Sequence, residues 1–191
     1  MKRCVFAGTF DPPTLGHKDI VLKCLELFDE VIVAILINPN KRPLFSEEAR
    51  LAMLRKVFAA YKNVRVLAYD GLTVDLLKRE NAKFYVRGIR NGTDYDYEAQ
   101  LNYINMDMYK EMITVFLPTR QEFLHISSSL VKDALKFNKN VDKYIPEEIR
   151  GDLKKYMQEA DKHVCKRRTD PCGGGDPRPP SSPRETETNQ A

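Results

Sequence analysis

Seven consecutive apolar residues, Val31-Ile32-Val33-Ala34-Ile35-Leu36-Ile37, constrain this chain more than any other stretch. Side chains alternate across a strand, so an uninterrupted apolar run places oily groups on both faces. Both faces then need a cover, which is the situation of a strand inside a parallel sheet. The run is expected to be the central strand of such a sheet.

The flanking segments supply the cover. Cys4 to Ala7 is a short strand, and Ile20, Val21, Leu25 and Phe28 recur at helical spacing, with Thr14 placed to cap a helix running from Thr14 to about Phe28. After Asn38 to Pro43, Ser46-Glu47-Glu48 opens a second helix that runs to about Ala60. Val64 to Ala68, Phe84 to Arg87 and Thr114 to Leu117 are further strands, with Leu72 to Arg79 helical between the first two. Gly88 to Asp94 is expected as a loop, and Tyr97, Leu101, Ile104 and Met108 mark the helix after it. Ser127-Ser128-Ser129 precede a helix containing Leu130, Val131, Ala134 and Leu135, and Pro146-Glu147-Glu148 start a last one that fades near residue 159. Strict alternation predicts an α/β fold: a Rossmann-like, doubly wound parallel sheet of five strands, helices on both faces, and right-handed crossovers.

A length of 191 residues suits one packed domain, and the expected division is a domain over 1–160 with a disordered Pro/Gly-rich tail over 161–191. That tail holds Gly173-Gly174-Gly175 and almost no large apolar side chains. A formal charge of +4 does not make a polycation, so bulk nucleic-acid binding is not expected. No apolar run approaches the roughly 18 residues of a membrane span. Cys4, Cys24, Cys165 and Cys172 lack metal-site or redox spacing. A cytoplasmic location follows as an expectation.

Ligands of doubly wound sheets lie beyond the carboxyl ends of the strands. At those ends the sequence places Thr9 and His17, then Lys41, then Arg87 and Arg90, then three serines at a helix start. Each suits an anionic oxygen: arginine as a planar fork, lysine as a point charge, hydroxyls and helix N-termini as donors. The spacings offer no covalent nucleophile with its base and no Walker-type loop. The set suits a transfer in which the protein positions two phosphates and neutralises the charge between them.

Gly8-Thr9-Phe10-Asp11-Pro12-Pro13-Thr14-Leu15-Gly16-His17 resembles the Thr/His-x-Gly-His signature of the nucleotidyltransferase superfamily, and Ile126 to Lys132 resembles its second signature. Asn38 to Phe45, Val86 to Glu98 and Pro146-Glu147 narrow the likeness to the bacterial phosphopantetheine adenylyltransferases, over residues 1 to about 159. The resemblance implies transfer of the adenylyl group of ATP to 4′-phosphopantetheine, giving dephospho-coenzyme A and pyrophosphate, with Mg²⁺ and usually in a hexamer. By position it implies His17, Lys41, Arg90 and Ser129 at the reacting end. ATP would be held by Thr9, Phe10, His17, Gly88, Ile89, Arg90 and Glu98, with the loop of Phe123, Leu124, His125, Ile126, Ser127, Ser128 and Ser129. Phosphopantetheine would meet Thr9, Lys41, Thr73 and Arg87; no protein ligand of the metal is assigned.

Chemically, a phosphate dianion attacking another phosphate is already ionised, so His17 is expected to stabilise the transition state and not to act as a base. Arg87 ends a buried strand and needs a partner, which could be Asp94 or Glu98 instead of substrate. Other functions compatible with these residues are transfer to nicotinate mononucleotide or glycerol phosphate, nucleotide or coenzyme A sensing without turnover, and RNA association through the tail.

Overall fold

Along the strand β1 (Arg3–Gly8) successive side chains enter different cores: Cys4 and Phe6 one, Val5 and Ala7 the other. The apolar run, in β2 (Glu30–Leu36), divides the same way, with Val31, Val33 and Ile35 on the first face and Ile32 and Ala34 on the second. The computed structural model describes residues 1–37, 43–153 and 155–157. Its other strands are β3 (Val64–Tyr69), β4 (Phe84–Ile89) and β5 (Ile113–Pro118), and the five form one sheet in the order β3-β2-β1-β4-β5 with every pairing parallel. The expected doubly wound, five-stranded Rossmann-like architecture is therefore present.

The first core is closed by α1 (Leu15–Leu27), α2 (Glu47–Val57) and α5 (Ser128–Lys136), through residues such as Ile20, Met53 and Val131. The second is closed by α3 (Thr73–Arg79), through Val74, Leu76 and Leu77, with Met112 and Ala82 beside it. The helix α4 (Gly92–Met108) has no buried residue, although it carries Tyr97, Leu101, Tyr103 and Ile104. A short helical turn, Glu147–Ile149, and helical residues 150–153 and 155–157 complete the first core with Ile149 and Leu153.

Two expectations need correction. The middle strand is β1, with β2 and β4 as its neighbours, and β2 lies one place out. Unbroken hydrophobicity reports burial on both faces, which β1 and β2 share; it carries no information on lateral order. The strand β4 also runs on through Gly88 and Ile89, which pair with Leu117 and Pro118, so the connection to α4 is Arg90 and Asn91 alone. Gly88 is needed there: a Cβ on it would sit 2.8 Å from Cγ1 of Ile20, so its lack of a side chain lets α1 lie against the sheet. Lys41 and the segment 161–191 lie outside the described residues. Cys4 and Cys24 are free and buried in the first core, where hydrogen bonding with Cys24 and burial push the Cys4 thiol far above its ordinary range.

Candidate active site

The strand order reverses between β1 and β4, because the chain winds outward from β1 to β3 and then returns across β1. At such a switch point the loops leaving the two strands turn apart and open a crevice. Two cavities lie there, of about 640 and 720 Å³. They share Ala7, Gly8, Thr9, Arg87, Tyr97 and Glu98, so one wall separates and connects them.

The larger number of sequence-chosen residues lines the first cavity. His17 stands in the first turn of α1, whose N-cap Thr14 accepts the His17 backbone N–H on its hydroxyl. The Thr14 backbone N–H in turn donates to Nδ1 of the imidazole at 3.0 Å. A nitrogen that accepts from a backbone amide carries no proton, so the neutral ring bears its hydrogen on Nε2. Burial first, then the charges of Arg87 and Arg90, lower the His17 pKa to about 4. His17 is therefore a neutral donor at physiological pH. Phe10 packs edge-on against it at 4.9 Å between centroids and holds the ring in place.

Three helix N-termini face the same space, that of α4 through Thr93 and Asp94. Gly16 and His17 bring the start of α1, and Ser127, Ser128 and Ser129 bring the start of α5. The Ser127 hydroxyl caps α5 by accepting from the Leu130 N–H at 3.1 Å, and the Ser128 hydroxyl donates to the Pro12 carbonyl at 2.8 Å. That second bond ties the two signatures together across 116 residues. Neither α1 nor α5 has an acidic residue in its first turn, whereas α4 carries Asp94 there, paired with Arg90. The dipoles of α1 and α5 are thus left unneutralised, as an anion site requires.

Both arginines have carboxylate partners. Arg87 donates through Nε to Glu98 at 2.8 Å, pairs with it again through Nη2, and donates through Nη1 to the Ala7 carbonyl at 2.7 Å. Burial opposes the charge on Arg87, but Tyr85 and Glu98 outweigh it, and its pKa stays above the ordinary value. Arg90 pairs with Asp94, in the first turn of α4, at 2.8 Å. Exposed pairs of that kind contribute at most about 1 kcal/mol, so a phosphate can take Arg90 from Asp94, while Arg87 is held.

In the second cavity Thr9, Thr73 and Arg87 appear as expected. Burial holds the phenol of Tyr85 above its ordinary pKa, and Tyr85, Asn102, Asn105 and Thr114 give this cavity polar walls that sequence reasoning did not single out. Ile89, Phe123, Leu124 and His125 are not among the lining residues of either cavity. His125 packs edge-on against Tyr144 at 6.1 Å, and the Ile89 carbonyl accepts the Thr119 N–H. Sequence reasoning also missed the buried anchors. Asp11 accepts the Leu44 and Phe45 N–H groups at 2.9 and 3.0 Å and pairs with Lys132, and Arg50 donates to the Thr9 carbonyl at 2.8 Å. A carboxylate inside the first signature was the one available signal.

The cytidylyltransferase-like family model matches residues 5–134. A phosphopantetheine adenylyltransferase of Lachnoclostridium phytofermentans is 40% identical over 149 residues, 78% of this chain and 91% of the relative. One of Heliobacterium modesticaldum is 42% identical over 146 residues, 76% and 87% of the two chains. The chain belongs to the phosphopantetheine adenylyltransferase family. A crystal structure from Vibrio parahaemolyticus, provisionally named as a nicotinate-nucleotide adenylyltransferase, superposes with a TM-score of 0.61 at 20% identity, covering 82% of this chain and 95% of that one. That likeness is one of fold.

Proposed function

We propose that this chain transfers the adenylyl group of ATP to 4′-phosphopantetheine, releasing pyrophosphate and dephospho-coenzyme A. The observation that carries the reading is the pair of cavities meeting at Thr9 and Arg87, with a neutral histidine and the acid-free N-termini of α1 and α5 on one side only. A nucleotide triphosphate suits the side rich in anion donors; an acceptor with a polar, neutral arm suits the side walled by Asn102, Asn105 and Thr114. The acceptor phosphate would then lie at the shared wall, facing the α-phosphate. The names borne by relatives at 40% identity support the same acceptor.

At the reacting end, His17 donates from Nε2 to the charge that builds on the α-phosphate, and Arg90, released from Asp94, draws the polyphosphate. Ser129, on the first turn of α5, adds a hydroxyl and an unpaired helix N–H. Thr9 touches both substrates, and Arg87, fixed by Glu98, marks the acceptor side. Lys41 is assigned to the acceptor phosphate from sequence alone. Among the described residues no cluster of His, Cys, Asp or Glu suits a metal ion, and Asp94 and Glu98 are paired with arginines. Mg²⁺ would enter bound to the phosphates of ATP, as part of the substrate.

The catalytic unit is assigned to 1–160 and the protein to the cytoplasm, with support from ATP as donor and from the free thiols of Cys4 and Cys24. A homohexamer is supported by α4, which has no buried residue and exposes Tyr103 and Ile104. Pyrophosphate release measured with Mg-ATP against a panel of phosphate acceptors tests the function. Turnover with phosphopantetheine is expected; turnover with nicotinate mononucleotide in its place would remove the acceptor assignment.

A further inference from the structure

A buried carboxylate two residues beyond His17 takes no part in the proposed transfer. The side chain of Asp19, on α1, is 2% exposed. One of its oxygens accepts the Arg120 backbone N–H at 3.1 Å, and the other accepts Nε of the Arg120 guanidinium at 2.9 Å. Lys23, one turn further along α1, places its ammonium 2.9 Å from Asp19 and also donates to the Pro118 carbonyl. The charge is compensated where it stands, and α1 is pinned to the turn that follows β5.

That turn is a wall of the first cavity, which Thr119, Ile126 and the α5 serines line. It lies close over Gly16, where an added Cβ would meet Thr119 at 3.8 Å and Phe123 at 4.0 Å. Residues two apart on a helix point about 200° from each other, so α1 presents His17 to the cavity and Asp19 to the turn. We propose that Asp19 is a positioning residue that fixes the turn over 119–127 relative to His17, and so sets the shape of the nucleotide's cavity but not the acceptor's. The proposal rests on the reading of the first cavity as the ATP side. Thr119, Ile126 and Ser127 of this turn line the first cavity and no residue of the turn lines the second, which is why the effect should fall on one substrate.

The experiment measures ATP binding by calorimetry without acceptor, together with KM for each substrate, kcat and Tm, in wild type and Asp19→Asn. The amide keeps the shape but loses the charge and turns an N–H toward donors. An approximately tenfold loss of ATP affinity is expected, the order of one hydrogen bond to a charged group, with acceptor KM and kcat within about twofold. Arg120→Met, which keeps the backbone N–H, should lose less, and the double variant should lose no more than Asp19→Asn. Val57→Ala, destabilised in the core of α2, serves as the stability control and should keep its ATP affinity.

Unchanged ATP affinity in Asp19→Asn, an equal rise in both KM values, or a matching loss in Val57→Ala would each overturn the proposal. Wild-type protein that binds ATP but uses another acceptor would overturn the acceptor assignment alone. Wild-type protein that binds no ATP would overturn both.

Discussion

At the scale of single residues, the proposed chemistry turns on how His17 is held. The unfolded chain protonates this histidine near 6.5, whereas the folded protein does so only near 4. Between those values the unfolded state binds the extra proton, so stability is full above about pH 6.5 and falls as pH drops toward 4. The gap is worth roughly 3 kcal/mol. Urea midpoints of wild type and His17→Gln should therefore diverge over that window, and an identical pH slope would show that the ring titrates normally. In catalysis, His17→Ala should lower kcat by about 100-fold or more, as loss of one preorganised donor does, while ATP affinity changes several-fold at most. Equal losses in both would take His17 out of the transition state. The Arg87–Glu98 pair makes a different prediction, because side-chain exposures of 24% and 12% place it between surface and core. Glu98→Ala should cost about 2–3 kcal/mol in chemical denaturation, above a surface pair and below a fully buried one.

At the scale of elements, the site is assembled by helix starts and by one close approach. Ser127→Ala removes the cap of α5 and should cost about 1 kcal/mol, with the larger effect on KM for ATP because the α5 N-terminus faces that cavity. Gly88→Ala should be worse, since its Cβ at 2.8 Å from Ile20 pushes α1, and His17 with it, away from β4. A loss of about 1–3 kcal/mol is expected from such overpacking, measured by thermal melting. Activity should fall further than stability alone explains. Activity that tracks the folded fraction would show that α1 tolerates the shift.

For the whole molecule, the sheet and its two cores leave α4 outside. Tyr103 and Ile104 on this helix are 70% and 59% exposed, and in the proposed hexamer other copies of the chain would cover them. Ile104→Lys combined with Tyr103→Glu should shift the protein to smaller species in light scattering with the single-chain fold intact by circular dichroism. An unchanged mass would place the assembly elsewhere. Truncation after residue 160 should leave turnover within about twofold if the tail is a solvated appendage.

The sequence by itself determined the alternation, the number of strands, the phosphate-directed residues and, through two signatures and three further segments, the family. These are properties of local periodicity and residue chemistry, which neighbouring residues carry between them. The lateral order of the strands, with β1 in the middle and β2 beside it, came only with the tertiary structure, because burial on both faces is the same at both places. So did the choice of Glu98 over Asp94 as the partner of Arg87, and the buried pairings of Asp11 with Lys132 and of Asp19 with Arg120. Those depend on which groups the winding of the chain brings within hydrogen-bonding reach, and the Ser128 to Pro12 bond shows the reason: partners 116 residues apart leave no trace in local pattern.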